Sequence, residues 1–301
     1  MNVAAGPLVS VYIPTHNRAE LVRRAIESVL NQSYSNIEVL VVNDGSRDET
    51  QTVLDSLCLQ YPRVKIFQHT QPRGACAARN LAIEKACGKF ITGLDDDDEF
   101  LPNRIESFLE AYDGNYAFLC SYKVLATERG FSNELIDKRE ISFEDMKIRN
   151  WVGNQVFIER DKLDHRHRFD PGMPAWQDYD LWFRLVKDYG RALKIPQHTY
   201  RMDLNTADNR ISESSNAFKG YKMFVEKHQP DLTEAQQHNL LVNDLYNRRT
   251  KLSVLSTLKL ARNWYALKKG FALYFLTHFP VIYEKFVTAF AKRRVSTIKS
   301  L

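Results

Sequence analysis

The feature that most restricts the fold is a strict alternation over the first hundred residues. LVSVYIP (8–14) is a β-branched apolar run ended by proline, the signature of a buried strand. AELVRRAIESVLNQ (19–32) sets Leu21, Ala25 and Val29 beside Ile26 and Leu30 at helical intervals, which predicts an amphipathic helix. IEVLVVND (37–44), VKIFQH (64–69) and KFITGLD (89–95) read as further strands, separated by the helices RDETQTVLDSLCLQY (47–61) and GACAARNLAIEKAC (74–87). Such alternation demands right-handed crossovers and a mostly parallel sheet covered by helices, an α/β fold. Ligands of these sheets bind beyond the carboxyl ends of the strands.

After Pro102 the pattern loosens. YAFLCSYKVLAT (116–127) and WVGNQVFIER (151–160) read as strands, the second a candidate antiparallel addition, and WQDYDLWFRLVKDYG (176–190) as a helix stopped by Gly190. From about 212 onward the pattern is helical, so the division is drawn at 1–210 and 211–301.

GKFITGLDDDDEFLPNRI (88–105) carries five consecutive carboxylates directly after a strand. Two carboxylates ~5 Å apart repel by roughly 3 kcal/mol at an effective dielectric near 20, so something must neutralise them. In an extended segment Asp95 and Asp97 share one face and Asp96 and Asp98 the other. A pair so spaced suits Mn2+ or Mg2+, which complete their shells with water and substrate phosphates. The alternative is a solvated acidic turn in which Asp98 caps a helix starting near Pro102.

Other strand ends carry polar groups too. IPTHNR (13–18) opens the first helix, whose N-terminus favours an anion, and Arg18 adds positive charge. Neither G-x-G-x-x-G nor G-x-x-x-x-G-K-[ST] is present there, which disfavours a dinucleotide fold or a P-loop. Asp44 precedes a Gly-Ser turn, where a carboxylate either accepts from a base or ribose or caps a helix. In QPRGACAARN (71–80), Arg73 and the small residues after it either admit a nucleotide or allow close helix packing.

VSVYIPTHNRAE, IEVLVVNDGSRDET, RGACAARNLAI, GKFITGLDDDDEFLP and WQDYDLWFRL together resemble family 2 of the inverting glycosyltransferases, in order and approximate spacing over roughly residues 8–200. The resemblance implies the GT-A fold (a Rossmann-like, mostly parallel sheet flanked by helices), a nucleotide-sugar donor, here a UDP-sugar, and a divalent metal on a D-x-D-type motif. By position it implies that Pro14 and His16 line the base pocket, that Asp44 meets uracil and that Arg73 lies near the nucleotide. Asp95 would sit near ribose and metal, and Asp97 on the metal. Arg18 and Asp96 complete the expected donor-binding set. The family's Glu-Asp pair stands here as Gln177–Asp178, so Asp178 is the expected base and Asp180 its rival. The purely structural alternative for Asp178 is the N-cap of helix 179–189. A further metal contact falls to Asp203 or His198, or is absent.

Charge adds a partner. Residues 248–301 hold twelve Lys/Arg against Glu284 alone, leaving 30 bases and 36 acids in 1–247. An acidic body with a basic, aromatic end suits an anionic membrane surface, whereas aromatics clustered with Leu and Val argue against nucleic acid. The longest uncharged run, Gly270 to Tyr283, is 14 residues, short of the ~20 a spanning helix needs. No signal peptide is evident, and Cys58, Cys76, Cys87 and Cys120 form no C-x-x-C pair. The expectation is therefore a cytoplasmic protein, peripheral at the inner membrane face. It would glycosylate a saccharide or lipid-linked saccharide in lipopolysaccharide or other surface polysaccharide assembly, giving a β-linkage from an α-linked donor. The rivals are a sugar nucleotidyltransferase, whose glycine-rich basic loop PTHNRAE lacks, and a non-catalytic membrane-surface module with a degenerate donor pocket.

Overall fold

The computed structural model describes residues 6–128, 130–204 and 215–283. The chain divides into two compact units. The first comprises Met1–Met146, Asn150–Gly172 and Gln177–Asp208, and the second Lys147–Arg149, Met173–Trp176 and Asn209–Leu301. The boundary expected at 210/211 and the basic stretch 284–301 lie outside the described residues.

The first unit is built on one sheet. Its strands are β1 (Val9–Thr15), β2 (Ile37–Asp44), β3 (Val64–His69), β4 (Phe90–Gly93), β5 (Glu99–Phe100), β6 (Leu119–Thr127), β7 (Gly130–Asn133), β8 (Glu140–Ile141), β9 (Phe157–Glu159) and β10 (Ala192–Asp203). Their order is β3-β2-β1-β4-β9-β6-β10-β5, with β7 on β6 and β8 on β10. The pairs β3-β2, β2-β1 and β1-β4 are parallel, as expected from the alternation, while β9 runs antiparallel to β4 and β6. Helices α1 (Ala19–Leu30), α2 (Thr50–Gln60), α3 (Ala75–Lys85), α4 (Arg104–Ala111), α5 (Phe143–Met146) and α6 (Gln177–Tyr189) complete the unit.

Val9, Val11 and Ile13 of β1 meet Val22, Ile26 and Val29 of α1 in one apolar cluster that includes Leu54, Leu57 and Phe108. Each such fully buried side chain is worth about 1.5–3 kcal/mol. Helix α3 lies against β1 and β2 with its own buried set, Cys76, Ala78, Ala82 and Ile83. Parallel strands covered this way end together, so the loops after β1, β2 and β4 open at one edge of the sheet.

Two departures from expectation bear on the site. Only Phe157–Glu159 of 151–160 is strand, because Asn150 Oδ1 accepts from the backbone N–H groups of Val152 (3.0 Å) and Gly153 (3.1 Å) and holds a turn there. β10 was not foreseen. It contains Pro196, which ordinarily argues against a central strand, but the register shifts between Ile195 and His198 and leaves Pro196 in an exposed irregularity.

The second unit is helical: α7 (Ser215–Lys227), α8 (Glu234–Asn247), α9 (Val254–Leu260) and α10 (Trp264–His278). Thr233 and Gln236 form a capping box on α8, and Ser253 and Asn263 cap α9 and α10. Asn243 donates to Ile148 O at 2.8 Å, and the Trp176 ring packs on Tyr221 and Phe224. No helix among the described residues is long and apolar enough to cross a membrane.

Candidate functional site

The five acids do not form an extended segment. Asp98 N donates to Asp95 O at 3.1 Å, so Asp95–Asp98 is a turn between β4 and β5, and the expected two-faced alternation is corrected. The partners divide differently. Arg18 Nη1 bridges Asp96 Oδ1 (2.8 Å) and Asp97 Oδ2 (2.9 Å). Asp95 Oδ1 accepts from Arg79 Nη2 and Gln155 Nε2, both at 2.9 Å, and its Oδ2 from Asn154 Nδ2 at 2.8 Å. Asp98 accepts from Tyr200 OH (2.8 Å) and from the backbone N–H of Asp203 (2.9 Å). It does not cap α4, which starts at Arg104 with no side-chain cap.

Even so the turn remains short of positive charge. Burial raises the Asp96 carboxyl to about 6 against the pull of Arg18. Burial, with Asp95 and Asp97 beside it, takes Asp98 to about 7. Asp97 is raised as well, by burial and by Asp95. Among the described residues no group of three or more His, Cys, Asp or Glu side chains is gathered for an ion. Mg2+-type ions, however, usually need only one or two carboxylates besides substrate phosphates and water. The all-oxygen donor set, the raised carboxyls and the bridging guanidinium fit such a cation. Asp97 is the outward member, its side chain 27% exposed. Asp203 pairs with Arg24 (3.0 Å), and His198 turns to Glu134 O (2.7 Å).

The loops after β1 and β2 are joined. His16 Nδ1 lies 2.8 Å from Asp44 O, and Asn17 Oδ1 accepts from Arg47 N at 2.8 Å. Pro14 is buried in β1 beside Val42. The Asp44 carboxylate is turned inward, accepting at Oδ1 from His69 (2.6 Å) and Arg73 N (2.9 Å) and at Oδ2 from Gly74 N (2.7 Å). Burial opposes its ionisation, but these three bonds more than offset that and hold its pKa below the ordinary value. A carboxylate has about four acceptor positions, so about one is left for a base. The Arg73 side chain is exposed. Gly45 has φ +68, and a Cβ there would fall 2.7 Å from Gln71 C, so only glycine lets the loop after β2 close against the loop after β3.

Arg79 links the acidic turn to α6. Buried on α3, it donates to Asp95 and, from Nη1, to Gln177 Oε1 at 3.1 Å, with Asp178 Oδ1 at 3.7 Å. Asp178 lies in the first turn of α6, not at its N-cap. Its side chain is 25% exposed, and its Oδ1, itself buried, has no hydrogen-bond donor. Burial raises its pKa to about 6; Asp95 pushes the same way, and Arg79 and Lys123 oppose. Asp180, the rival base, is fully buried and held by Arg184 at 2.8 Å.

The structure therefore brings Arg18, Asp95, Asp96, Asp97 and Asp178 into one bonded neighbourhood, joined through the β1 loop to His16 and Asp44. Sequence reasoning missed Arg79, His69, Asn154, Gln155 and Lys123. Arg79 had a signal: an arginine on the Cys76–Ile83 face of a helix that is otherwise small and apolar.

Comparison with known proteins follows the same outline. The family model "Glycosyl transferase family 2" matches residues 10–162. A putative colanic acid biosynthesis glycosyl transferase, WcaA of Escherichia coli K12, is 36% identical over 272 residues, covering 88% of this chain and 97% of the relative. A Campylobacter jejuni protein named GalNAc(5)-diNAcBac-PP-undecaprenol beta-1,3-glucosyltransferase is 28% identical, covering 73% of this chain and 72% of its own. Among solved structures, Staphylococcus aureus TarS 1–349 with UDP-GlcNAc superposes at TM-score 0.60 and 18% identity, covering 89% of this chain and 81% of that one. Of the longer TarS chain, 47% is spanned. The mannosyltransferase PcManGT of Pyrobaculum calidifontis, with GDP-Man and Mn2+, gives TM-score 0.62 at 18% identity, covering 97% of this chain and 86% of that one.

Proposed function

The chain belongs to glycosyl transferase family 2 with the GT-A fold, and from that premise we propose a metal-dependent, inverting transfer from a UDP-sugar to the hydroxyl of a lipid-linked saccharide in surface polysaccharide assembly. The observation that carries the reading is Asp178: a part-exposed carboxylate whose buried Oδ1 lies 3.7 Å from Arg79 Nη1, which ties it to the acidic turn.

In this reading Asp178 takes the proton from the acceptor hydroxyl as its oxygen attacks the anomeric carbon. The bond from that carbon to the diphosphate oxygen breaks on the opposite face. One displacement inverts the centre, so an α-linked donor gives a β-linked product. Arg79 favours the ionised form of the base and keeps it beside Asp95. Asp95 and Asp97 would hold Mn2+ or Mg2+, which when bound supplies positive charge against the diphosphate. Arg18, released from Asp96 and Asp97, is free to meet phosphate oxygens. His16, Pro14, Asp44 and Arg73 border the nucleoside. Residues 1–210 would be the catalytic domain, and 211–301 the region that keeps the enzyme peripheral on the cytoplasmic membrane face. The lipid-linked substrate in the name of the C. jejuni relative supports that setting.

A base whose carboxyl titrates near 6 must be ionised to work, so kcat/KM is expected to rise with pH through about 6 and level off above 7. A profile flat from pH 5 to 8 would sink the assignment. Mn2+ should tighten UDP binding, and Asp97→Ala should remove at least tenfold of that gain, about 1.4 kcal/mol. Calorimetric titration of UDP with and without Mn2+ checks it. Screening UDP-glucose, UDP-galactose, UDP-N-acetylhexosamines and GDP-mannose for Mn2+-dependent hydrolysis identifies the donor.

A further inference from the structure

Nine of the thirteen large hydrophobic side chains exposed among the described residues fall between Val254 and Ile282. They follow the helix surface. On α10, Ala266, Gly270 and Leu273 are buried, and Gly270 faces Thr257 of α9, so this face is already packed. Yet the opposite stripe, at intervals of four, three and four, carries Trp264, Lys268, Phe271 and Phe275 and continues to Phe279. Trp264 is 67% exposed, and Phe275 and Phe279 are each 44% exposed. An exposed apolar stripe opposite a packed face marks an interaction surface. At 15 residues it is about 22 Å long, too short for a hydrocarbon core of about 30 Å, but long enough to lie in its surface. On α9, Val254, Leu255 and Leu258 are exposed in the same way.

The charges this stretch of chain carries have one sign. Arg248 to Tyr283 contains no Asp or Glu, while Lys251, Lys259, Arg262 and Lys268 border the apolar residues, and Lys268 rests on the Trp264 ring at 4.8 Å. A second copy of the chain docked through this face would oppose cations to cations with no acid to answer them. A lipid surface with anionic headgroups complements both features at once.

We infer that α9 and α10 form an in-plane docking surface for an anionic bilayer, with Leu255, Leu258, Phe271, Phe275 and Phe279 entering the acyl boundary and the lysines and arginine meeting the headgroups. The inference deepens the peripheral reading above and rests on it. It narrows the anchor from the basic, aromatic end 248–301 to the exposed apolar face of two folded helices within it.

The test uses the full chain in flotation with phosphatidylglycerol/phosphatidylethanolamine vesicles and with phosphatidylcholine vesicles. Binding to the anionic vesicles alone, with a blue shift in the emission of Trp264, the one exposed tryptophan among the described residues, is expected. Phe271→Ser/Phe275→Ser, which keeps every charge, should lower bound protein at least tenfold while melting temperature and donor hydrolysis in solution stay unchanged. If the double variant floats as well as the parent and salt releases both, charge alone anchors the chain; this inference fails and the peripheral reading stands. If the parent floats on neither vesicle, both fail. Equal flotation on phosphatidylcholine overturns the anionic partner. A dimer in solution that the double variant dissociates, without flotation, makes a second copy the occupant.

Discussion

Asp178→Asn is expected to lower kcat by about 10²–10⁴-fold, the range a positioned general base contributes, and to leave UDP binding nearly intact. Asparagine keeps the shape of the side chain and loses only the proton-accepting charge. The folded state bears a cost for ionised Asp178, whose carboxyl is lifted to about 6 chiefly by burial. Sign matters here. A carboxyl raised in the folded state destabilises it above that pKa, and the cost shrinks as pH falls below about 6 and is gone below the ordinary carboxylate range. The amide removes that cost at neutral pH, so the melting temperature of the variant should not drop. Its residual rate should also lose the rise through pH 6. Asp180→Asn is the contrasting case: it breaks a buried pair with Arg184 at 2.8 Å and should lower stability without the specific kinetic signature. If Asp178→Asn turns over near the parental rate, Asp178 is not the base.

How much of this could be read beforehand depended on the range of the interaction. β1, β2 and α1 were legible because their apolar residues recur at the period of the element, and burial follows that period directly. The position of the acidic turn was legible for the same reason, since it follows β4. Its internal geometry was not: a bond from Asp98 N to Asp95 O overrides the alternation of an extended chain. Asp44 was recognised as a polar strand end, but its partner His69 lies opposite it only through the register of β2 and β3. Asn154 and Gln155 are neutral amides in a loop without periodicity, and only the folded chain brings them onto Asp95. Pro196 concealed β10, which supplies Tyr200 to Asp98.

Arg79→Met should be the most damaging single change outside the reacting groups. The guanidinium is 9% exposed, donates to Asp95 at 2.9 Å and to Gln177 at 3.1 Å, stands 3.7 Å from Asp178, and covers the Phe169 ring at 5.1 Å. Methionine retains much of the volume and the ring contact but leaves two carboxylates facing each other. Removing one partner of a buried ion pair costs about 3–5 kcal/mol. At about 2–4 °C per kcal/mol for a unit of this size, the melting temperature should fall by roughly 10 °C at pH 7.5. Since Asp178 gains further proton affinity once the opposing charge is gone, the deficit should shrink as pH falls through and below 6. Any residual activity should titrate at higher pH than in the parent. Arg79→Lys should recover only part of the loss, because one ammonium cannot reproduce the fork that holds Asp95 and Gln177 together. Asp95→Asn added to Arg79→Met should restore stability without restoring transfer, since it removes the repulsion but not the need for a positioned Asp178. Equal melting curves for Arg79→Met and the parent from pH 5 to 8 would mean that the acidic turn and the base are held by something other than this cation.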